Sequence, residues 1–295
     1  MAFRVMRRAI GTLCVLCAFA ALVGLGPATD VITRVAAQRA GMIGPGALMI
    51  TTVGPHASSS CTAAFVLRNA TTTFVAYAAH CAIPVQPQHR TGCEYETLPL
   101  GTPVTLRGAT GATARGHLAY SSWATMRAIG ETDENRCRFN DLALVAVDAR
   151  DTGSLDPTVP GLGGPTALRE DAPVRFERVL SLQPHNTRPA IKDGISLGVR
   201  GSGWSHRVDL SPSASLGDSG SGMLDGEGRA FGVLATRYLD RAATSGVTDL
   251  PHALDYAERH GAVGAVRLVP GRRAFHPPAP VGAATASEEI RASGR

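Results

Sequence analysis

Apolar residues in this chain come in short runs broken by turn-forming residues, a spacing that predicts strands rather than helices. Met49–Val53 reads as a first strand. Cys61–Leu67 and Thr72–Tyr77 are rich in β-branched and aromatic residues, flank the turn Arg68-Asn69-Ala70-Thr71, and read as a hairpin. Val104–Arg107, Arg115–Met126 and Leu142–Val147 continue the strand series. Asp151–Pro165 is dense in Gly, Pro, Asp and Thr and reads as a connection between two halves. The second half offers Val174–Leu182, Ile195–Val199, Trp204–Leu210, Gly222–Leu224 and Phe231–Thr236. Asp249-Leu250-Pro251 then opens a helical stretch to His260, with Gly261 just beyond it. Short strands, regular turns and one late helix predict an all-β protein. From Pro270 onward the chain is rich in Pro, Ala and Gly and reads as a disordered tail.

The start of the chain follows a different pattern. Arg4, Arg7 and Arg8 precede the uncharged run Ala9–Gly26, and Gly26-Pro27-Ala28 supplies small residues suited to cleavage. Residues 1–28 therefore read as a signal peptide, with an uncleaved membrane anchor as the alternative. Either reading places the body outside the cytoplasm, because the arginines stay inside. Residues 29–44 read as an N-terminal lead or short propeptide. Losing those three arginines lowers the formal charge from +5 to +2. No Arg/Lys stripe with interleaved aromatics occurs, so nucleic acid is not an expected partner.

Composition then narrows the compartment. Cys14 and Cys17 of the six cysteines lie in the targeting run, leaving Cys61, Cys81, Cys93 and Cys137. An even number in an exported protein predicts two disulfides, with three pairings open. A zinc site is the rival reading, and the absence of a close Cys-x-x-Cys pair after the targeting run disfavours it.

Three segments carry chemistry: Ala78-Ala79-His80-Cys81, Asn140-Asp141-Leu142-Ala143-Leu144-Val145 and Gly217-Asp218-Ser219-Gly220-Ser221-Gly222. A serine hydroxyl is a poor nucleophile until an imidazole takes its proton and a carboxylate holds that imidazole. The segments supply one residue of each type, 61 and 78 residues apart. Glycines around Ser219 allow a backbone that bulkier residues would obstruct.

In type and order the three segments resemble those of the trypsin/chymotrypsin-like serine peptidases in their bacterial secreted form, over roughly residues 45–260. The resemblance implies two antiparallel six-stranded β-barrels with a short C-terminal helix. The first barrel would occupy 45–155, the second with its helix 156–262, and the tail 263–295. It implies His80 as general base and then acid, Asp141 as the carboxylate orienting it, and Ser219 as nucleophile. The N–H groups of Gly217 and Ser219 would form the oxyanion hole. Among the three pairings it favours Cys61–Cys81, which leaves Cys93–Cys137. No cofactor or metal is implied; the partner is a protein or peptide substrate, and the chain is expected to be a monomer, meeting a membrane only if its N-terminal segment stays uncleaved.

Specificity is implied less directly. Asp218 is expected to hold the nucleophile loop through an ion pair. No Ile-Val-Gly-Gly-type start is present to supply an amino terminus, so an arginine is the expected partner. Ser213, six residues before Ser219, matches the pocket base; being neutral, it argues against cleavage after Arg or Lys. Ala235-Thr236-Arg237 matches the strand edge that pairs with substrate. Ala235 stands where a serine is usual, removing one hydrogen bond toward Asp141, and Arg237 either attracts an acidic side chain or is solvated. The expected residue before the scissile bond is apolar or small. His206, near Trp204, reads as structural rather than pocket-lining. Two other classes are less consistent with these segments. A catalytically silent binding protein of this fold would not need all three residue types, and an esterase would present Gly-x-Ser-x-Gly in the order Ser, Asp, His.

Overall fold

The computed structural model describes residues 43–84, 91–186, 188–238 and 243–279. The proposed signal peptide and nearly all of the 29–44 lead lie outside the described residues. Fourteen strands and few helices are present among the described residues, so the fold is all-β.

Strands β1 (Leu48–Gly54), β2 (Ala57–Thr62), β3 (Val66–Arg68), β4 (Thr73–Tyr77), β5 (Pro103–Arg107), β6 (Thr113–Ser121) and β7 (Ala143–Val147) form the first sheet. With β14 (Arg267–Leu268) added at the β3 edge, its order runs β14-β3-β4-β7-β6-β5-β1-β2. The ends meet through one bent stretch of chain. Ala63 still donates to Ala47 O at 2.8 Å on the β1 side, whereas Ala64 donates to Ala76 O at 2.8 Å on the β4 side. Taken as one bent strand, β2–β3 closes the sheet on itself with six strands.

β8 (Arg178–Leu182), β9 (Ile191–Arg200), β10 (Ser205–Ser211), β11 (Gly222–Asp225), β12 (Ala230–Arg237) and β13 (Ser245–Asp249) make a closed barrel in the order β10-β13-β12-β11-β8-β9. All their pairings are antiparallel. The architecture is therefore the chymotrypsin-like double barrel.

The core has three layers. One fills the first barrel, with Met49, Val75, Tyr77, Leu106 and Val145. A second fills the other barrel, with Val208, Met223, Phe231 and Val247. The third lies between them and includes Phe65, Phe74, Ala76, Leu144, Leu180 and Val233. β4 and β7 thus bury both faces: Val75 and Tyr77 point into the barrel while Phe74 and Ala76 point to the interface. This explains why both read as continuous apolar runs rather than alternating ones.

Three expectations need correction. The strand expected over Arg115–Met126 ends at Ser121, and helix α1 (Ser122–Ile129) follows. Ser121 Oγ caps it by accepting from Ala124 N, and Gly130 ends it in the left-handed region at φ 69°. A second helix, α2 (Glu134–Phe139), is capped by Asp133. β13 (Ser245–Asp249) carries no strand pattern in the sequence, because Ser-Gly-Val-Thr-Asp has a single large apolar residue. The tail is ordered to residue 279 among the described residues. β14 (Arg267–Leu268) pairs with β3, Gly164 donates to Arg273 O, and Arg178 Nη2 donates to Pro278 O at 2.7 Å. Residues beyond 279 lie outside the described part. The late helix, α3 (Leu250–His260), is capped by Asp249 with proline in its first turn, as its punctuation indicates.

Both disulfides are formed, Cys61–Cys81 and Cys93–Cys137. The first ties β2 to the 3-10 turn Ala79–Ala82 that carries His80. The second ties the 91–98 segment to α2. With their sulfurs bonded in pairs, these cysteines are not thiolate ligands for a metal. Among the described residues no helix is long and apolar enough to cross a membrane.

Candidate active site

The two doubly buried strands place the polar residues. β4 ends at Tyr77, three residues before His80, and β7 begins two residues after Asp141. Since β4 and β7 are hydrogen-bonded neighbours, Tyr77 opposite Ala143, their extensions converge. His80 Nδ1 lies 2.7 Å from Asp141 Oδ2, and the His80 backbone N–H donates to Asp141 Oδ1 at 2.8 Å. A carboxylate can only accept, so Nδ1 carries the proton and Nε2 is the basic position. Burial disfavours the imidazolium here, but the charge and hydrogen bond of Asp141 outweigh it, and the His80 pKa is raised above its ordinary value.

A hydroxyl from another strand reaches the backbone at Asp141. Asp141 N donates to Thr248 Oγ1 at 3.3 Å, and that hydroxyl donates to Phe139 O at 2.8 Å. Thr248 belongs to β13, the strand that the sequence pattern concealed. It secures the backbone around Asp141 rather than the carboxylate.

Ser219 lies in a turn gripped from the first barrel. Thr62 donates twice, from N to Ser219 O and from Oγ1 to Gly217 O, both at 2.8 Å. Gly220 has φ 90°, and a Cβ there would lie 2.3 Å from Thr62 O, so only glycine fits. Gly217 also has φ 90°. Ser221 Oγ closes the turn on Asp218 O at 2.7 Å. Among the described residues no acceptor takes the N–H of Gly217 or Ser219, which leaves two donors available in the Ser219 turn.

Asp218 is fully buried, as a loop-holding residue must be. Its carboxylate accepts from Ser215 N at 2.7 Å and Asn186 Nδ2 at 3.2 Å. Among the described residues no arginine pairs with Asp218. Lys192, the chain's single lysine, is buried on β9 and donates to Pro189 O at 2.9 Å. Burial pulls its pKa below the ordinary value, and the charge of Asp218 opposes that pull. Nothing local in the sequence marked this residue except its being the sole lysine.

His80, Asp141 and Ser219 line one cleft of about 660 Å³. Its second-barrel wall carries Ala214, Ser215, Leu216, Leu234, Ala235, Thr236 and Arg237, with Gly246 and Thr248 from β13. Ser213, expected at the pocket base, precedes this wall and is not among the lining residues; Ala214 and Ser215 are. Asp141, held by His80, is the sole carboxylate lining the cleft among the described residues. β12 is bridged to the nucleophile loop at Leu234, through Gly220 N to Leu234 O at 2.7 Å. Beyond it, Ala235 sits in a bulge and Thr236 and Arg237 pair only with β13 among the described residues, leaving one edge open beside Ser219. Trp123, Tyr95 and Phe139 complete the first-barrel wall, and the sequence pattern flagged none of them. His206 is a buried structural residue, 2.7 Å from Asp249 Oδ2, and does not line the cleft.

No family model matches the chain, and no curated protein does. Solved structures do. Protease A of Thermobifida fusca is 20% identical, with a TM-score of 0.49 over 78% of this chain and 100% of that one. A Nocardiopsis protease is 18% identical, with a TM-score of 0.44 over 78% of this chain and 99% of that one. The chymotrypsin of Cellulomonas bogoriensis is 17% identical, with a TM-score of 0.43 over 78% and 98%. At such identities the chemistry has to be argued from the side chains themselves.

Proposed function

We propose that this chain is a secreted serine endopeptidase that hydrolyses peptide bonds through an acyl-enzyme on Ser219. The observation that carries the reading is the His80–Asp141 pair, joined at 2.7 and 2.8 Å, opening on the same cleft as Ser219 and its two available N–H groups. In the proposed cycle, Ser219 Oγ attacks the scissile carbonyl while His80 Nε2 takes its proton. The oxyanion forms against the N–H groups of Gly217 and Ser219. His80 then hands the proton to the leaving amine, Asp141 stabilising the imidazolium meanwhile. Water then attacks the acyl carbon while His80 Nε2 takes one of its protons, and the acyl C–O bond to Ser219 breaks as His80 returns that proton to Ser219 Oγ and the carboxylic product leaves.

The open edge of Ala235–Arg237 is suited to receive the substrate backbone as an added strand. The adjoining pocket wall combines small residues with Leu216, Leu234 and Arg237, and among the described residues it offers no carboxylate to a buried Arg or Lys side chain. An apolar or small residue before the scissile bond fits it. Export is supported by the two disulfides, which persist in oxidising surroundings. Mass spectrometry of the termini of the secreted protein tests cleavage near residue 28.

The direct test is labelling with a phosphonate or sulfonyl fluoride, followed by peptide mapping. A single adduct on Ser219 together with peptide turnover supports the reading. A folded protein that neither labels nor cleaves peptides is a binding protein of this fold instead.

A further inference from the structure

We infer that Trp123 and Tyr95 form a shelf that selects the substrate side chain one position upstream of the residue donating the scissile carbonyl, and that this shelf takes a large apolar or aromatic side chain. The inference rests on the peptidase reading above and names a specificity determinant for it.

The placement comes from the inserted helices. Between β6 and β7 the chain makes α1 and α2 instead of a tight turn, and α1 carries Trp123 into the cleft beside the catalytic pair. The Trp123 ring lies 6.3 Å from the His80 ring, tilted by 44°. Tyr95 stacks on the Trp123 ring at 4.7 Å and 10°. Ile83 and Phe139 line the same cleft, extending the apolar wall.

The shelf is held rigidly. The backbone at Gly92 lies against the indole, where a Cβ would come 2.4 Å from Trp123 Nε1. Cys93, next in sequence, is tied to Cys137 of α2, and its sulfur lies 3.9 Å from that of the fully buried Met126. A wall fixed before substrate arrives loses little freedom on binding. Its aromatic faces are suited to an apolar or aromatic partner.

Alternation supplies the register. A peptide laid along Ala235–Arg237 is extended, so successive side chains point to opposite sides. The side chain before the scissile bond enters the pocket walled by Ala214, Leu234 and Ala235. Its upstream neighbour therefore points away from the second barrel, toward His80 and the Trp123–Tyr95 stack.

The test uses the full secreted chain and tetrapeptide p-nitroanilides differing only at that upstream position, with Phe, Leu, Ala or Gly. The expected Phe-to-Gly ratio in kcat/KM is about tenfold, the scale set by one apolar contact, and it resides mainly in KM. Trp123→Ala should bring the ratio close to one, Tyr95→Ala should lower it, and Trp123→Phe should retain most of it. Each ratio is taken within one variant, so an incompletely folded preparation does not alter it. A ratio unchanged in Trp123→Ala overturns the inference. So does a flat upstream profile in an unmodified chain that labels at Ser219 and cleaves peptides. An unmodified chain that neither labels nor cleaves fails the peptidase reading itself.

Discussion

The two halves of the cleft are built on different principles. The first barrel presents His80 and Asp141 at the ends of β4 and β7, which are buried on both faces and paired with each other. The second barrel presents Ser219 in a glycine turn and its neighbouring wall on strand ends, where Thr236, Arg237 and Leu216 are exposed. A hydrogen-bonded pair held at 2.7 Å needs a frame that does not move, and doubly buried strands supply it. A surface that must admit different side chains is better made from edges and loops. Precision in the first half and adaptability in the second follow from how much apolar surface lies behind each.

The largest effect tests the nucleophile. Ser219→Ala should abolish covalent labelling and lower turnover by roughly a millionfold, the cost of losing the serine in a triad enzyme. Circular dichroism should show the fold intact. Labelling that persists would place the nucleophile elsewhere.

Asp141→Asn comes next. It keeps the shape but removes the acceptor that puts the proton on Nδ1, and kcat should fall by roughly 10⁴. A loss under tenfold would mean that Asp141 does not orient His80.

The contrast in burial is then tested through stability. Phe74→Ala, at a side chain 2% exposed on β4, should destabilise the fold by about 3–5 kcal/mol in urea unfolding. Leu216→Ala, at a side chain 94% exposed on the cleft rim, should change stability by under about 0.5 kcal/mol. Equal costs at the two sites would remove the distinction between frame and rim.

The pH profile gives a smaller and more diagnostic effect. Because the His80 pKa is raised above 6.5, the neutral base becomes available only above that pH, and kcat/KM should rise through the raised value. The stability contribution of the same pair runs the other way. It is fully present below about pH 6.5, where the unfolded histidine is also charged, and is lost as pH rises through the folded value. Comparing urea midpoints of the parent and His80→Ala from pH 5 to 9 separates the two. Activity that falls over this range in step with the stability increment would reject the base assignment.

Ser213→Asp should have the smallest effect. Because Ser213 does not line the cleft, the preference for Arg or Lys over Leu before the scissile bond should change by no more than a few-fold. A switch to basic residues in that variant would restore position 213 as the pocket base.

Much of the frame was legible because its causes are local. Runs buried on both faces, such as Leu142–Val147, must be apolar throughout. A turn that excludes every side chain but hydrogen at Gly220 must carry glycine, and a helix that begins at Leu250 announces itself through Asp249 and Pro251. His80, Asp141 and Ser219 are legible as candidates through the resemblance of their three ordered segments to those of one peptidase family, more than through any one local setting. What stayed hidden depends on distant chain. α1 carried its own cap signals in Ser121 and Gly130, yet they lay within a run that also fits a strand. Thr248 matters because β13 lies beside Asp141, Lys192 because β9 buries it where the charge of Asp218 acts on it, and Trp123 because a loop stapled through Cys93 packs against it. The tail through residue 279 is ordered by partners as far away as Arg178 and Val66. By itself the sequence determined which residue types the chemistry uses and which strands form the rigid frame, since these follow from burial and backbone sterics within short segments. Only the tertiary structure decided which side chains support and surround them, because those contacts join residues that no local pattern relates.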